Sequence, residues 1–238
     1  DGAMQRLRDE VRGVVAKVRG LQPISPAARE IAQRALVIGG GVAWLVAALS
    51  LVSREIPGDL VEKSGRLGGN ANRLWCDPAG RKISQYLDAL KKRTEDSSLV
   101  RVFLDSEVTE ITGRLGQFHA KILTPSSVVE AEHGAVIVAT GGREYKPEGY
   151  LYAKNKAVIT QLELEERLAR GDDWLKGIKS VVVLHCVGSR DDERAYCSRI
   201  CCSQAVKNSL KLKEINPEIA VHHLYRDMRT YFLNDVLY

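Results

Sequence analysis

"RALVIGGGVAWLVAALSLVSRE", residues 34–55, carries the decision about the fold. Ala35 to Ile38 form a short apolar run, three glycines follow, and then comes a long apolar stretch without a breaker. This order predicts a buried strand, a tight turn and a helix, the opening of a dinucleotide-binding unit. Gly39 and Gly41 fill the first two positions of G-x-G-x-x-G, with Gly40 between them. Such glycines let the chain turn sharply and let a pyrophosphate approach the helix N-terminus, where free amides and the helix dipole favour an anion. Trp44 stands where the third glycine is expected, and an indole there predicts poor close packing of helix on strand.

Downstream, "DLVEK" (59–63) reads as the next strand, although Pro57 and Gly58 interrupt its approach. Glu62 comes twenty-one residues after Gly41, a suitable distance for accepting from a ribose hydroxyl. "SGRLGGN" (64–70) is a second glycine-rich loop, and "ISQYLDALKKRTED" (83–96) has helical spacing. "VRVFLDSEVTEITG" (100–113) and "QFHAKIL" (117–123) predict a small antiparallel sheet. "GAVIVATGG" (134–142) predicts a buried strand whose small end residues, Thr140, Gly141 and Gly142, let the backbone pass close to a cofactor. A charged helix over 160–170, a buried strand within "KSVVVLHCVGSR" (179–190), a helix over 197–216 and a strand in "EIAVHHLYRD" (218–227) complete the pass. Alternating strands and helices imply a doubly wound α/β fold. Upstream, residues 4–19 repeat apolar residues at helical spacing, and "LQPISP" (21–26) ends that helix. The expected organisation is an N-terminal helical segment, 1–33, and an α/β domain, 34–238.

Composition narrows the function class. The 238 residues are 45% hydrophobic and 27% charged, with a formal net charge of +5. Basic residues are interspersed with acidic ones, as in "SRDDER", which argues against a nucleic-acid partner. There is no run of eighteen apolar residues and no signal-peptide core, so the expectation is a cytoplasmic protein without a transmembrane segment. The histidines show no ligand pattern, and His222 and His223 read as strand residues.

Four of the five cysteines, Cys186, Cys197, Cys201 and Cys202, fall within seventeen residues. A secreted disulfide framework spreads its cysteines, whereas clustering points to metal or redox chemistry. Cys197 and Cys201 are four apart and would share a helix face, with Cys186 arriving from a strand end. The spacing C-x₁₀-C-x₃-C-C contains no C-x₂-C, the usual element of zinc knuckles and dithiol redox sites. An iron–sulfur cluster accepts more varied spacing, and a set of buried structural thiols is the plain alternative. Cys76, alone in "RLWCDP", reads as structural.

"RALVIGGGVA", "LVEKSGRLGGN", "GAVIVATGG", "VITQLELEERLA", "CVGSRDDERAYCSRICCSQAVKNSLKLKE" and "LYRDMRTY" together resemble the A-type subunit of heterodisulfide reductase, an iron–sulfur flavoprotein, and its bacterial relatives, over nearly the whole chain. The resemblance implies a Rossmann-like FAD-binding α/β fold with a small antiparallel β insertion, incomplete at its C-terminus. It implies FAD held by Gly39, Gly40, Gly41, Glu62, Lys63, Arg66, Leu67, Gly68, Gly69, Asn70, Thr140 and Gly141. It implies a 4Fe-4S cluster on Cys186, Cys197, Cys201 and Cys202, with Lys207 near the flavin ring, tuning its potential. The implied role is an oxidoreductase subunit that passes electrons between flavin and cluster, with the other subunits of an electron-transfer complex as partners. The alternatives are a structural iron–sulfur subunit with a decayed flavin site, which Trp44 would favour, and a flavin thiol–disulfide oxidoreductase using Cys201 and Cys202.

Overall fold

The structure is a computed structural model that describes residues 2–22, 30–77, 79–171 and 173–230. Most of the proline-containing break at 21–26, and the last eight residues, lie outside this range. The chain forms two compact units, Asp1–Ile31 and Ala32–Tyr238. The first contains helix α1 (Gly2–Gly20), which has no buried residue.

The second unit is built on a four-stranded parallel sheet. It comprises β1 (Ala35–Ile38), β2 (Gly58–Val61), β3 (Val100–Phe103) and β7 (Ala135–Val138), in the order β3-β2-β1-β7. Helices α2 (Val42–Val52) and α3 (Ile83–Glu95) make the crossovers. Between β3 and β7 the chain inserts an antiparallel sheet of β4 (Glu107–Arg114), β5 (Gln117–Leu123) and β6 (Val128–His133).

The period-two alternation of strand side chains distributes the core. Val37 and Leu60 point to one face, where Trp44, Leu45 and Ala48 of α2 and Leu87 and Leu90 of α3 cover them. Leu36 and Val61 point to the other face and meet Ala120 and Ile122 of β5. Helices thus cover one side of the parallel sheet and the antiparallel insertion covers the other.

Two expectations need correction. Residues 100–113 are not one antiparallel element: Val100–Phe103 joins the parallel sheet, and the antiparallel strand starts at Glu107. Val183 and its neighbours do not extend the main sheet either. They form β8 (Ser180–Leu184), which pairs only with β9 (Ala220–Leu224) among the described residues. Against this parallel pair pack α4 (Gln161–Arg170) and α5 (Cys201–Ile215), through Leu164, Leu168, Leu212 and Ile219. Thr160 caps α4, with a reciprocal bond from Glu163. No helix among the described residues is long and apolar enough to cross a membrane.

A buried charge fixes the sheet. Asp59 on β2 is fully buried. It accepts from Arg34 ahead of β1 at 2.7 Å, from Arg101 Nε on β3 at 2.7 Å, and pairs with His133 Nε2 at the end of β6 at 3.0 Å. Burial alone would raise its pKa. The hydrogen bonds of His133 and Arg101 and the charges of both arginines outweigh that and hold the carboxyl well below its usual range.

Because the folded pKa lies below the unfolded one, this stabilisation is full at neutral pH and declines as acid takes the pH below the unfolded value of about 3.9. Asp59→Asn should therefore lower unfolding stability by about 1–3 kcal/mol at pH 7, since the buried carboxylate's charge-assisted hydrogen bonds are lost while the partly exposed Arg34 and Arg101 remain solvated. The gap between variant and parent should narrow at pH 3. Urea unfolding at both pH values checks this, and coincident midpoints at pH 7 would remove the network from the fold's essentials.

Candidate functional site

The chain leaves β1, crosses to β2 and β3, and returns through β7 on the far side of β1. The crevice at the C-terminal ends of β1 and β7 is therefore the topological switch point, where open α/β sheets bind ligands. Gly39 occupies it with φ 114°, and a Cβ there would overlap the Ala139 carbonyl at the end of β7. Only glycine meets both demands. Gly40 lies against the Glu62 carboxylate, so closely that a Cβ would displace it. Gly41 is the N-cap of α2, with no side chain capping the helix, and a Cβ added there would meet nothing within 4 Å. The amide end of the helix is left for an anion.

The second glycine loop closes on the first. Gly68, at φ 108°, donates its N–H to the Gly40 carbonyl at 2.6 Å, and a Cβ on Gly69 would approach Gly41 Cα to 3.2 Å. Glu62 follows β2 and is fixed by the Ser64 N–H and hydroxyl, at 2.7 and 2.6 Å. Lys63 pairs with Glu107 at the surface. Arg66 is exposed, whereas Leu67 is buried in the core beneath the loop. Asn70 donates to the Gly142 carbonyl at 2.9 Å, joining this loop to the end of β7. Asn70, Thr140 and Gly141 line a cavity of about 620 Å³, together with Arg73, Arg143 and Lys146. The expected FAD-site positions thus gather at one sheet edge, except that Leu67 supports the loop from inside and Lys63 points to Glu107.

Trp44 does not obstruct the turn. Its indole is fully buried among Leu45, Leu87 and Leu90, and Nε1 donates to the Val37 carbonyl at 3.4 Å. The third glycine's place is used to fill the helix–sheet interior.

The cysteines behave differently from their spacing. Helix α5 begins at Cys201, so Cys197 lies in the irregular segment before it and shares no helix face with Cys201. Its sulfur accepts from the Arg199 N–H at 3.4 Å. Cys186 is two residues beyond β8, at φ 60°, with Arg190 Nη1 4.0 Å from its sulfur. Cys202 is buried, which pushes its thiol pKa up, and the nearby Cys201 and Cys186 add to the rise. All five cysteines are free thiols. A ring nitrogen of His185 and the sulfurs of Cys201 and Cys202 lie within 4.8 Å of one another. Sequence reading missed His185, and its only signal was adjacency to Cys186 in "LHC".

Lys207 is neither a solvated helix lysine nor a wall of the cavity. It is buried and donates to the Cys76 carbonyl at 2.8 Å, paired with the fully buried Glu165 of α4. Glu165 also accepts from the Trp75 N–H at 2.9 Å and from Gln204 of α5. The segment after the glycine loop is thereby bound to the helix that carries Cys201 and Cys202. A second tie is Tyr145, whose ring fills the space beside Gly188, two residues past Cys186, with Arg194 4.5 Å above the ring centroid.

No family model matches the chain. It is similar over nearly its whole length to the A-type subunits of heterodisulfide reductases, the resemblance read from its motifs. In Methanothermobacter marburgensis, the A-type subunit of H(2):CoB-CoM heterodisulfide,ferredoxin reductase is 27% identical, over 97% of this chain and 49% of that protein. In Methanopyrus kandleri, the second A-type iron-sulfur subunit of CoB--CoM heterodisulfide reductase is 26% identical, over 96% and 49%. The chain spans about half the length of the curated relatives it matches. The first alignment runs over 324 positions, longer than the chain's 238 residues, so the relative carries segments inside the matched span that this chain lacks. Among solved structures, the L-proline dehydrogenase of P. horikoshii aligns with a TM-score of 0.47 at 16% identity, over 85% of this chain and 38% of that one.

Two sets of substitutions test the site's construction. Gly39→Ala should cost about 1–3 kcal/mol or more, from left-handed backbone strain plus overlap with the Ala139 carbonyl. Gly41→Ala, with open space and an ordinary φ, should cost about 1 kcal/mol or less. Equal losses in thermal unfolding would refute the assigned close approach. Lys207→Ala should cost about 3–5 kcal/mol by stranding the Glu165 carboxylate, and the Glu165→Leu, Lys207→Met pair should recover a large part of it. A double variant no better than Lys207→Ala would contradict that assignment.

Proposed function

We propose that this chain is an electron-transfer flavoprotein module of a heterodisulfide-reductase-type complex, holding FAD at the β1–β7 switch point and an iron–sulfur centre beside α5. One observation carries the reading: Gly39, Gly40, Gly41, Glu62, Gly68 and Asn70, distant in sequence, interlock around the uncapped N-terminus of an eleven-residue helix. The arrangement has the residues that a dinucleotide requires and, among the described residues, no side chain capping the helix end where its pyrophosphate would lie.

FAD bound here supplies a two-electron carrier, and a 4Fe-4S cluster supplies a one-electron carrier. The amides of Val42, Ala43 and Trp44, at a helix end without a capping side chain, would hold the pyrophosphate. Glu62, held by Ser64 through one carboxylate oxygen, offers the other to ribose hydroxyls. Thr140 and Gly141 keep the opposite wall of the crevice low, and Arg143 and Lys146 add positive charge to a lining in which Arg73 is paired with Glu144. Arg73 is held in place by Glu144 and Glu166.

Cys186, Cys197, Cys201 and Cys202 are the thiolate donors assigned to the cluster. Cys201 and Cys202 meet beside His185 at the start of α5, Cys186 lies near enough to raise the Cys202 pKa, and all four are free thiols, the form a metal centre requires. Lys207 acts as a positioning residue, setting α5 against the Trp75–Cys76 segment through Glu165. The partners are the other subunits of such a complex, and the compartment is the cytoplasm.

Purification without oxygen, followed by a visible spectrum before and after dithionite, tests the reading. Flavin bands with a broad bleachable shoulder are expected, and the flavin released on denaturation should approach one per chain. Gly41→Val should remove the flavin and leave iron and sulfide content unchanged. Cys186→Ala and Cys202→Ala should remove iron and leave the flavin. A chain that stays colourless after reconstitution with FAD, iron and sulfide would overturn both assignments.

A further inference from the structure

The imidazole of His185 sits at the end of a hydrogen-bond relay that fixes which of its nitrogens carries hydrogen. Ser209 on α5 has one hydroxyl hydrogen, and it is donated to the Ala205 carbonyl at 2.8 Å. The Ser209 oxygen can therefore only accept from His223 Nε2, 3.0 Å away. With Nε2–H as donor, neutral His223 presents a lone pair at Nδ1. That lone pair lies 2.8 Å from His185 Nε2, which must then carry the hydrogen. The remaining nitrogen, His185 Nδ1, is left with a bare lone pair. It is buried and has no hydrogen-bond partner among the described residues.

A buried acceptor without a donor is costly, about 1–3 kcal/mol, so its place needs an explanation. Its neighbours give one. The same histidine and the sulfurs of Cys201 and Cys202 lie within 4.8 Å of one another. A neutral imidazole whose second nitrogen donates to a fixed acceptor is the normal form of a metal-ligating histidine, with the acceptor orienting the ring and raising its basicity.

We propose that His185 Nδ1 is a metal ligand, completing with Cys201 and Cys202 a mixed sulfur–nitrogen site for a thiophilic divalent ion, with His223 and Ser209 as its positioning residues. The ion and the proposed cluster share Cys201 and Cys202 and are alternative occupants, so this site belongs to the chain without its cluster and does not rest on the four-cysteine assignment. The fold explains why these groups meet. His185 continues the β8–β9 pairing by donating its N–H to the Leu224 carbonyl, which places its ring beside His223 on the same sheet face. Helix α5 supplies both the thiols at its first turn and Ser209 two turns later. Three protein donors would fill three of the four places around a tetrahedral ion.

The test is X-ray absorption at the zinc edge on the full, cluster-free chain loaded with one equivalent of zinc, beside chelator-competition affinities of variants. The expected shell is two sulfurs at about 2.3 Å and an imidazole nitrogen at about 2.0–2.1 Å. His185→Gln should remove the imidazole signal, and His223→Phe should keep it while weakening zinc by about 10–100-fold. A parent protein with a sulfur-only shell would overturn the proposal without reliance on any variant. So would failure of the folded chain to bind zinc. Iron and sulfide content after reconstitution is read separately. An imidazole-bearing zinc site in a chain that takes up no iron would defeat the cluster assignment and support this one, and a full iron–sulfur complement with a sulfur-only zinc shell would do the reverse.

Discussion

The Asp59 carboxylate is the constraint from which the rest of the α/β unit is arranged. A single ionised group buried in a parallel sheet would be prohibitive, and its surroundings show how the cost is met: Arg34, Arg101 and His133 come from three different elements to one point. Arg101 stands directly opposite Asp59 in the β2–β3 register, so a one-residue slip would move the guanidinium to the other face of the sheet. His133, at the end of β6, attaches the antiparallel insertion to the same anchor. This charged junction sits toward the start of the strands. Their far ends are thereby free to be built from glycine and small residues, which hold nothing in place by themselves.

At those far ends the backbone does the work that side chains do elsewhere. Gly39 against Ala139, Gly40 against Glu62, and Gly69 against Gly41 are contacts that any larger residue would change. Trp44 shows how tolerant the remainder of the motif is. The third glycine of the fingerprint serves close helix–strand packing, and here an indole buried over Val37 fills that interior with volume instead. The amide end of α2 is unaffected, because the turn before the helix, and not its first buried residue, shapes that end.

The glycine turn, Glu62, the helices over 83–95 and 161–170, and the strand ending at Val138 were legible because each rests on local periodicity or turn chemistry. Other features depend on partners far away in sequence, which no local pattern announces. Val183 reads as a core strand, yet only the packing of α4 and α5 decides that it joins β9 and not the main sheet. Cys197 and Cys201 have helical spacing, but the helix starts at the second of them, because Arg199 between them is left-handed, at φ 63°. Asp59 in "GDLVEK" looks like a turn residue, and the arginines that make it tolerable lie 25 and 42 positions away. Lys207 reads as a surface lysine for the same reason, since Glu165 is not near it in sequence.

The two sites are mechanically continuous. Glu165 gathers the Trp75 amide, Gln204 and Lys207, so the segment leaving the second glycine loop and the first turns of α5 are held to one buried carboxylate. On the opposite side, Tyr145 leaves the end of β7 and packs where Gly188, at φ 71°, has no Cβ. The segment after β7 is thus packed against the loop that carries Cys186, and α5 is tied to the Trp75–Cys76 segment that follows the second glycine loop. The electron transfer proposed above falls steeply with the separation of its two centres, so it requires both on one rigid frame. Buried charge at Glu165 and an aromatic ring against a glycine supply that rigidity with few residues, and both rely on partners that pack closely and resist small displacements.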